Sequence, residues 1–164
     1  MTSRTLLAID PGFVSAGYAI IRVSGTRGEL IACSALVQSS SRSLESRLLK
    51  FSDFFESLLV SHAVTDLALE TPFLGKNAQN FLKLGYLRGA LLLLAARYNL
   101  QLHEASPREI KRNVTGCGSA DKEQVARTVL RFFPMLSDNA LSADATDALA
   151  LAFSLLSRIS IVVR

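Results

Sequence analysis

Thr5-Leu6-Leu7-Ala8-Ile9-Asp10-Pro11-Gly12 decides how this chain is read: a brief apolar run ends abruptly on a carboxylate and a turn. Proline cannot donate to a strand ladder and glycine accepts turn dihedrals, so the run reads as a buried strand that the chain leaves just after Asp10. A carboxylate at the end of a buried strand costs several kcal/mol unless it is paired, hydrogen-bonded or bound to a cation. Alone, Asp10 is an ordinary turn-capping aspartate. A functional role requires other carboxylates to arrive at the same place.

Downstream, Gly17 to Val23 and Glu29 to Gln38 are rich in β-branched and apolar residues and are separated by Ser24-Gly25-Thr26-Arg27-Gly28, which predicts a three-stranded antiparallel meander. Ser43 is placed to cap a helix carrying Leu44, Leu48, Phe51, Phe55, Leu58 and Leu59 on one face. Asp66 to Glu70 repeats the pattern of the first strand: apolar residues, a terminal carboxylate, and a proline close behind at Pro72. Lys76 to Arg97 reads as a long helix interrupted by Gly85 and Gly89, each costing about 1 kcal/mol relative to alanine. Something is expected to pack close to those glycines, either the sheet beneath or a second subunit. Gln101 to Ala105 is a fifth strand, and Ser106-Pro107-Arg108-Glu109 is a capping box that opens a helix ending near Thr115-Gly116. Ser119 is expected to cap a helix running to about Phe132, and Ser142 a last one to about Arg158. The tail 159–164 is left unassigned. The order predicts an α/β fold: a five-stranded mixed sheet, its first three strands antiparallel and the remainder parallel, flanked by helices, with 1–158 as one domain.

Composition sets the class. The chain has 164 residues, 49% of them hydrophobic, enough for a substantial core without disulfides or metals as staples. Cys33 and Cys117 have neither metal-ligand spacing nor the pattern of a disulfide framework. The apolar run Ala90 to Ala96 is far short of the roughly 20 residues that span a bilayer, so a cytoplasmic protein with no membrane partner is expected. Lys and Arg outnumber Asp and Glu by 18 to 14. If four of those 14 acids share one site, 10 remain against 18 bases, and the rest of the surface is cationic, as phosphate-backbone binding requires.

Asp10 and Glu70 both stand where a strand ends. If the two strands are parallel neighbours, their carboxylates lie side by side. Asp144 and Asp147 are three residues apart in the first turns of the last helix and share a face. Beyond them Ala148 to Phe153 is apolar almost all round, so that helix is buried. Acids in a first helical turn are also favoured by the macrodipole, which alone accounts for such a pair. Together the four form an oxygen-rich cluster suited to hard divalent ions such as Mg²⁺ or Mn²⁺. Two such ions support phosphodiester hydrolysis.

Ile9-Asp10-Pro11-Gly12 with Gly17-Tyr18, Glu70 with Phe73, Lys76-Asn77, Lys83-Leu84-Gly85, Arg88-Gly89, Lys111, Val114-Thr115-Gly116, Gly118, Ala120, Lys122 and Ala143-Asp144-Ala-Thr-Asp147-Ala148-Leu149-Ala150 together resemble the RuvC Holliday-junction resolvases. The resemblance runs from Leu6 to about Leu156. It implies a ribonuclease H-like fold, a homodimer, and Mg²⁺-dependent paired nicking of four-way DNA junctions in recombination and repair, with a branch-migration helicase as delivery partner and Mn²⁺ able to substitute. It implies that Asp10, Glu70, Asp144 and Asp147 are catalytic acids holding two ions. It further implies that Lys111 and Lys122 contact DNA near the scissile phosphate, that Lys76 and Lys83 are DNA contacts, and that Phe73 is a base-stacking wedge. Read without the resemblance, each lysine is an exposed helix residue and Phe73 a core or loop aromatic. Phe13 and Val14 stand where the family often has a small polar residue and an arginine, and an apolar pair there also fits a subunit contact.

Two other classes remain open on sequence. A non-catalytic junction-binding protein would gain nothing from four clustered acids. A nuclease of the same fold acting on another nucleic acid uses the same residues. An actin-like ATPase, which also places Asp and Gly after its first strand, needs two lobes and a longer chain.

Overall fold

The computed structural model describes residues 3–72, 78–136, 141–158 and 162–163. Its elements in chain order are β1 (Arg4–Asp10), β2 (Ser15–Ser24), β3 (Arg27–Val37), α1 (Leu44–Ser61), β4 (Asp66–Glu70), α2 (Ala78–Arg97), β5 (Gln101–Ala105), α3 (Pro107–Thr115), α4 (Lys122–Arg131), α5 (Ala143–Arg158) and β6 (Val162–Val163). They build one sheet in the order β5-β4-β1-β2-β3-β6. β1 to β3 pair antiparallel, whereas β4 is parallel to both β1 and β5. β1 to β5 form the expected five-stranded mixed sheet of the ribonuclease H-like fold, and β6 adds a sixth strand. The two-residue β6, in the tail that had no assignment, pairs in parallel with the start of β3 at one edge.

Strand alternation sorts the core into two layers. Leu6 and Ala8 of β1 and Ala68 of β4 point to the side covered by α3, α4 and α5, with Ile110, Val114, Val125, Val129, Ala148 and Leu149. Leu7 and Ile9, with Leu67 and Leu69, point to the side covered by α1 and α2, with Phe51, Phe55, Leu87 and Leu91. The Phe51 and Phe55 rings meet edge to face, 4.7 Å between centroids, an arrangement worth about 1 kcal/mol beyond the area it buries. The same alternation carries one step further to the strand ends. Asp10 and Glu70 follow Ala8 and Ala68 by two residues and face the α5 side.

Several helix starts match their sequence signals. Ser43 Oγ accepts from Ser46 N, and Ser106 with Glu109 forms a reciprocal capping box. Ser142 Oγ accepts from Ala145 N. α3 ends at Gly116, whose φ of +80° is the left-handed conformation favoured by glycine. The start of α4 departs from expectation: Asp121, not Ser119, is its cap, accepting from Gln124 N. Ala120 is buried in the core and its N–H donates to Cys117 O, so residues 117–120 complete a tight turn before the helix begins.

Candidate active site

The C-terminal ends of β1 and β4 are adjacent. The parallel register pairs Ile9 with Leu69, so one residue further on Asp10 and Glu70 stand side by side. Across the antiparallel ladder, Asp10 is opposite Gly17 of β2. A Cβ on Gly17 would lie 1.9 Å from the carbonyl oxygen of Asp144 and 2.7 Å from Ala145 N. The first turn of α5 therefore rests backbone to backbone on β2, next to Asp10. Small residues continue this close approach, since Ala145, Ala148 and Ala152 on α5 and Ala8, Ala19 and Ala68 on the sheet are essentially inaccessible. Asp144 and Asp147 are thereby carried to the strand ends.

Electrostatics record the convergence. Burial, then the Asp147, Glu70 and Asp144 carboxylates in that order, push Asp10 up to about 7, and Lys122 offsets part of this. Desolvation by the surrounding protein and then Asp147 raise Glu70 above the usual carboxylate range, although its side chain stays open to solvent; Lys122 and Lys111 pull it back. Lys122, the first residue of α4, places its Nζ 2.9 Å from Asp147 Oδ2, and Asp147, Asp10 and Glu70 all raise its pKa. Six of the sequence-derived candidates thus come together: Asp10, Glu70, Asp144, Asp147, Lys111 and Lys122. Lys83 is exposed on α2, and among the described residues no hydrogen bond or ion pair joins it to the acids. Phe73 and Lys76 lie outside the described residues.

As the side chains stand, no three acidic, imidazole or thiol groups among the described residues are close enough to share one ion. The donor set nevertheless fits a hard divalent cation. Mg²⁺ keeps several waters and commonly takes only one or two carboxylates together with substrate phosphates, so a closed protein cage is not required. The rise of Asp10 to about 7 under its neighbouring carboxylates, and the Lys122 ammonium drawn to Asp147, mark a cluster that favours added positive charge.

Two features of the site had no role assigned from sequence. Gly17 had a legible signal, because a glycine inside a strand marks a bulge or a close backbone approach. Arg88 did not. Its position on α2 beside the exposed Lys83 carries no sign of a buried role, but its side chain is only 19% exposed. It donates from Nη1 to Glu70 O at 3.1 Å and pairs through Nη2 with Glu104. Phe13 also turns inward: it packs on the α1–α2 layer beneath the Arg47 guanidinium, 5.0 Å from the ring centroid, and its carbonyl accepts from Arg47 Nη2 at 2.6 Å. The expected closeness around Gly85 and Gly89 is not supplied by this sheet, since a Cβ at either would meet nothing within 4 Å.

Residues 6–155 match the family model described as crossover junction endodeoxyribonuclease RuvC. A protein of that name from Chlorobium phaeobacteroides is 41% identical over 154 residues, covering 94% of this chain and 82% of the relative. Another from Chloroherpeton thalassium is 40% identical over 146 residues, covering 89% and 78%. Among solved structures, Thermus thermophilus RuvC in complex with a Holliday junction substrate superposes with a TM-score of 0.85 at 23% identity, covering 96% of this chain and 95% of that one. The yeast mitochondrial Holliday junction resolvase Ydc2 matches at 0.63, with 12% identity over 93% and 77% of the two chains. Both structures share the fold, and with the family model and the curated relatives they lead to one identification: the chain belongs to the RuvC family of crossover junction endodeoxyribonucleases.

Proposed function

We propose that this protein is a structure-selective endonuclease that resolves four-way DNA junctions by paired, symmetric hydrolytic nicks. The observation that carries the reading is the meeting of Asp10, Glu70, Asp144 and Asp147 at one edge of the sheet with Lys111 and Lys122 beside them. Asp10, Glu70, Asp144 and Asp147 would hold divalent ions, Mg²⁺ with Mn²⁺ as substitute, and bound ions supply water activation and neutralisation of the departing 3′ oxygen. The chain's own contribution is to arrange charge. With four carboxylates balanced, the ammonium groups of Lys122 and Lys111 are left to meet the scissile phosphate, where positive charge is worth most as the oxyanion develops. An in-line attack that expels the 3′ oxygen leaves a 5′ phosphate and a 3′ hydroxyl, ends that can be rejoined without processing.

Paired nicking calls for two copies. On α2, Leu82, Tyr86, Gly89 and Leu93 recur at spacings of four, three and four on the outer face, with Leu82 and Leu93 more than half exposed. Together with the open Gly85 and Gly89 this is a stripe suited to a second α2 in a two-fold dimer. A two-fold axis shared with a symmetric junction presents one site to each of two equivalent strands. Recognition would rest on junction shape, with Phe73, Lys76 and Lys83 as further DNA contacts on the strength of the family resemblance. Chain length is the ground for taking 1–158 as a single domain and the shortness of the apolar run Ala90 to Ala96 the ground for a cytoplasmic setting, while delivery by a branch-migration helicase rests on the resemblance.

The deciding experiment is cleavage of a labelled synthetic four-way junction and of linear duplex in Mg²⁺, using the natural protein and Asp144→Asn. Paired symmetric nicks in the junction alone, with Asp144→Asn binding but not cutting, are expected. Binding without cutting by the natural protein in both Mg²⁺ and Mn²⁺ would overturn the catalytic reading in favour of a junction-binding protein.

A further inference from the structure

We propose that Arg88 is a positioning residue for Glu70, locking the peptide at the end of β4 so that the Glu70 carboxylate is presented to the divalent ions; this rests on the reading of Glu70 as a metal-binding acid. Glu70 is the exposed last residue of β4, and Thr71 and Pro72 beyond it belong to no strand. A strand end of this kind frays unless its backbone groups are held. On one side Thr71 N donates to Ala105 O at 2.9 Å. On the other, the carbonyl of Glu70 itself accepts from Arg88 Nη1 at 3.1 Å.

The guanidinium has a second anchor, the Glu104 carboxylate on β5. Arg88 thus ties α2 to the ends of two neighbouring strands. A planar fork with fixed donors can serve two acceptors at once, which a lysine ammonium on a flexible stem does less well. With Nη1 turned to Glu70 O and Nη2 to the Glu104 carboxylate, and with little of the side chain accessible, Arg88 is poorly placed to meet a DNA phosphate. Its positive charge is spent on Glu104, next to a site whose own acids need cations. Fixing the carbonyl sets the plane of the peptide after Glu70 and hence the direction of its Cα–Cβ bond. Groups that orient a metal ligand in this indirect way change metal affinity by about 10- to 100-fold when removed.

The test compares the natural protein with Arg88→Ala, Arg88→Lys, Glu104→Ala, the double variant Arg88→Ala/Glu104→Ala, and Glu70→Gln. Mn²⁺ binding to the DNA-free protein is measured by calorimetry, junction affinity in EDTA by gel shift, and folding by thermal melting. Expected are Mn²⁺ binding weakened roughly 10-fold by Arg88→Ala, a smaller loss in Arg88→Lys and Glu104→Ala, and a double variant no worse than Arg88→Ala, while junction affinity in EDTA stays within about two-fold of the natural protein. Unchanged Mn²⁺ affinity in Arg88→Ala, with Glu70→Gln impaired, overturns the inference alone. Unchanged affinity in Glu70→Gln overturns the assignment of Glu70 on which it stands. Should Arg88→Ala fail to fold, Glu104→Ala decides: a loss of Mn²⁺ affinity at constant junction binding supports the positioning role, and no loss refutes it.

Discussion

Gly17 and Asp144 are in backbone contact, 127 residues apart in sequence, and no residue with a side chain fits at position 17 while α5 stays where it is. The obstructing atoms are backbone carbonyl and amide, which cannot swing aside as the end of a flexible side chain would. Gly17→Ala is therefore expected to cost about 1–3 kcal/mol of stability and to move the first turn of α5 away from Asp10. Divalent-ion binding should suffer more than junction binding in EDTA. Calorimetry and gel shift on the folded variant check this, and unaltered Mn²⁺ affinity would show that the contact is dispensable.

Asp10 predicts how the metal-free protein responds to pH. The folded chain keeps the Asp10 proton to about pH 7, whereas an unfolded chain releases it near pH 3.9. Between those values the folded state binds more protons, so stability falls as pH rises through the window, by at most about 4 kcal/mol. In EDTA, the melting temperature should drop from pH 5 to pH 8. Asp10→Asn should flatten that slope, and Mg²⁺ at pH 8 should restore the natural protein but not the variant. A slope equal in both proteins would place the titration elsewhere.

Asp66 predicts the opposite dependence at the other end of the sheet. Burial acts to raise its pKa, but hydrogen bonds from Arg4, Thr65 and His103 outweigh it and hold the carboxyl below its usual range. Arg4 Nε lies 3.0 Å from Oδ2, Thr65 Oγ1 donates at 2.6 Å, and His103 Nε2 is 2.6 Å from Oδ1. A lowered pKa contributes stability that is present above about pH 4 and is lost as pH falls through the folded value. Asp66→Ala should cost about 3 kcal/mol at pH 7, with the difference shrinking toward pH 3. Denaturant melts at the two pH values test it, and cleavage by the folded variant should be unaffected because β4 begins at the opposite edge from Glu70.

The α2 stripe predicts an assembly that a single charge can break. Burying one leucine contributes about 1.5–3 kcal/mol, so Leu93→Glu should weaken self-association by roughly 10- to 100-fold. Sedimentation equilibrium should then show a shift from dimer to monomer at micromolar protein. The variant should keep its fold, since Leu93 is 61% exposed in the single chain. A monomer in the natural protein, or a dimer indifferent to Leu93→Glu, would remove α2 from the interface.

Much of the candidate site was readable before any distance was known, because its signals are local. A carboxylate before a proline turn, an acidic pair at i and i+3 opening an apolar helix, and a capping box each involve a few neighbouring residues. Where local signals competed, they misled. Ser119 and Asp121 are both good caps, and only the burial of Ala120 decided that the turn consumes residues 117–120 first. Arg88 resembled its exposed neighbours on α2 because helical position alone does not reveal a carbonyl 18 residues back in the chain. Gly85 and Gly89 signalled a close approach, yet among the described residues a Cβ at either would meet nothing within 4 Å, so the sheet of this chain does not supply it.

The sequence by itself determined the order and type of the elements from β1 to α5, the two faces of β1 and β4, and the placement of four acids at element ends, because alternation, capping and turn chemistry act over a few residues. Only the tertiary structure decided that those ends meet. The adjacency of β1 and β4, the seating of α5 on Gly17, the lodging of Lys122 on Asp147 and the reach of Arg88 to Glu70 and Glu104 are distances between residues far apart in the chain. They follow from strand order and from how closely one backbone can approach another, which packing of the whole molecule sets.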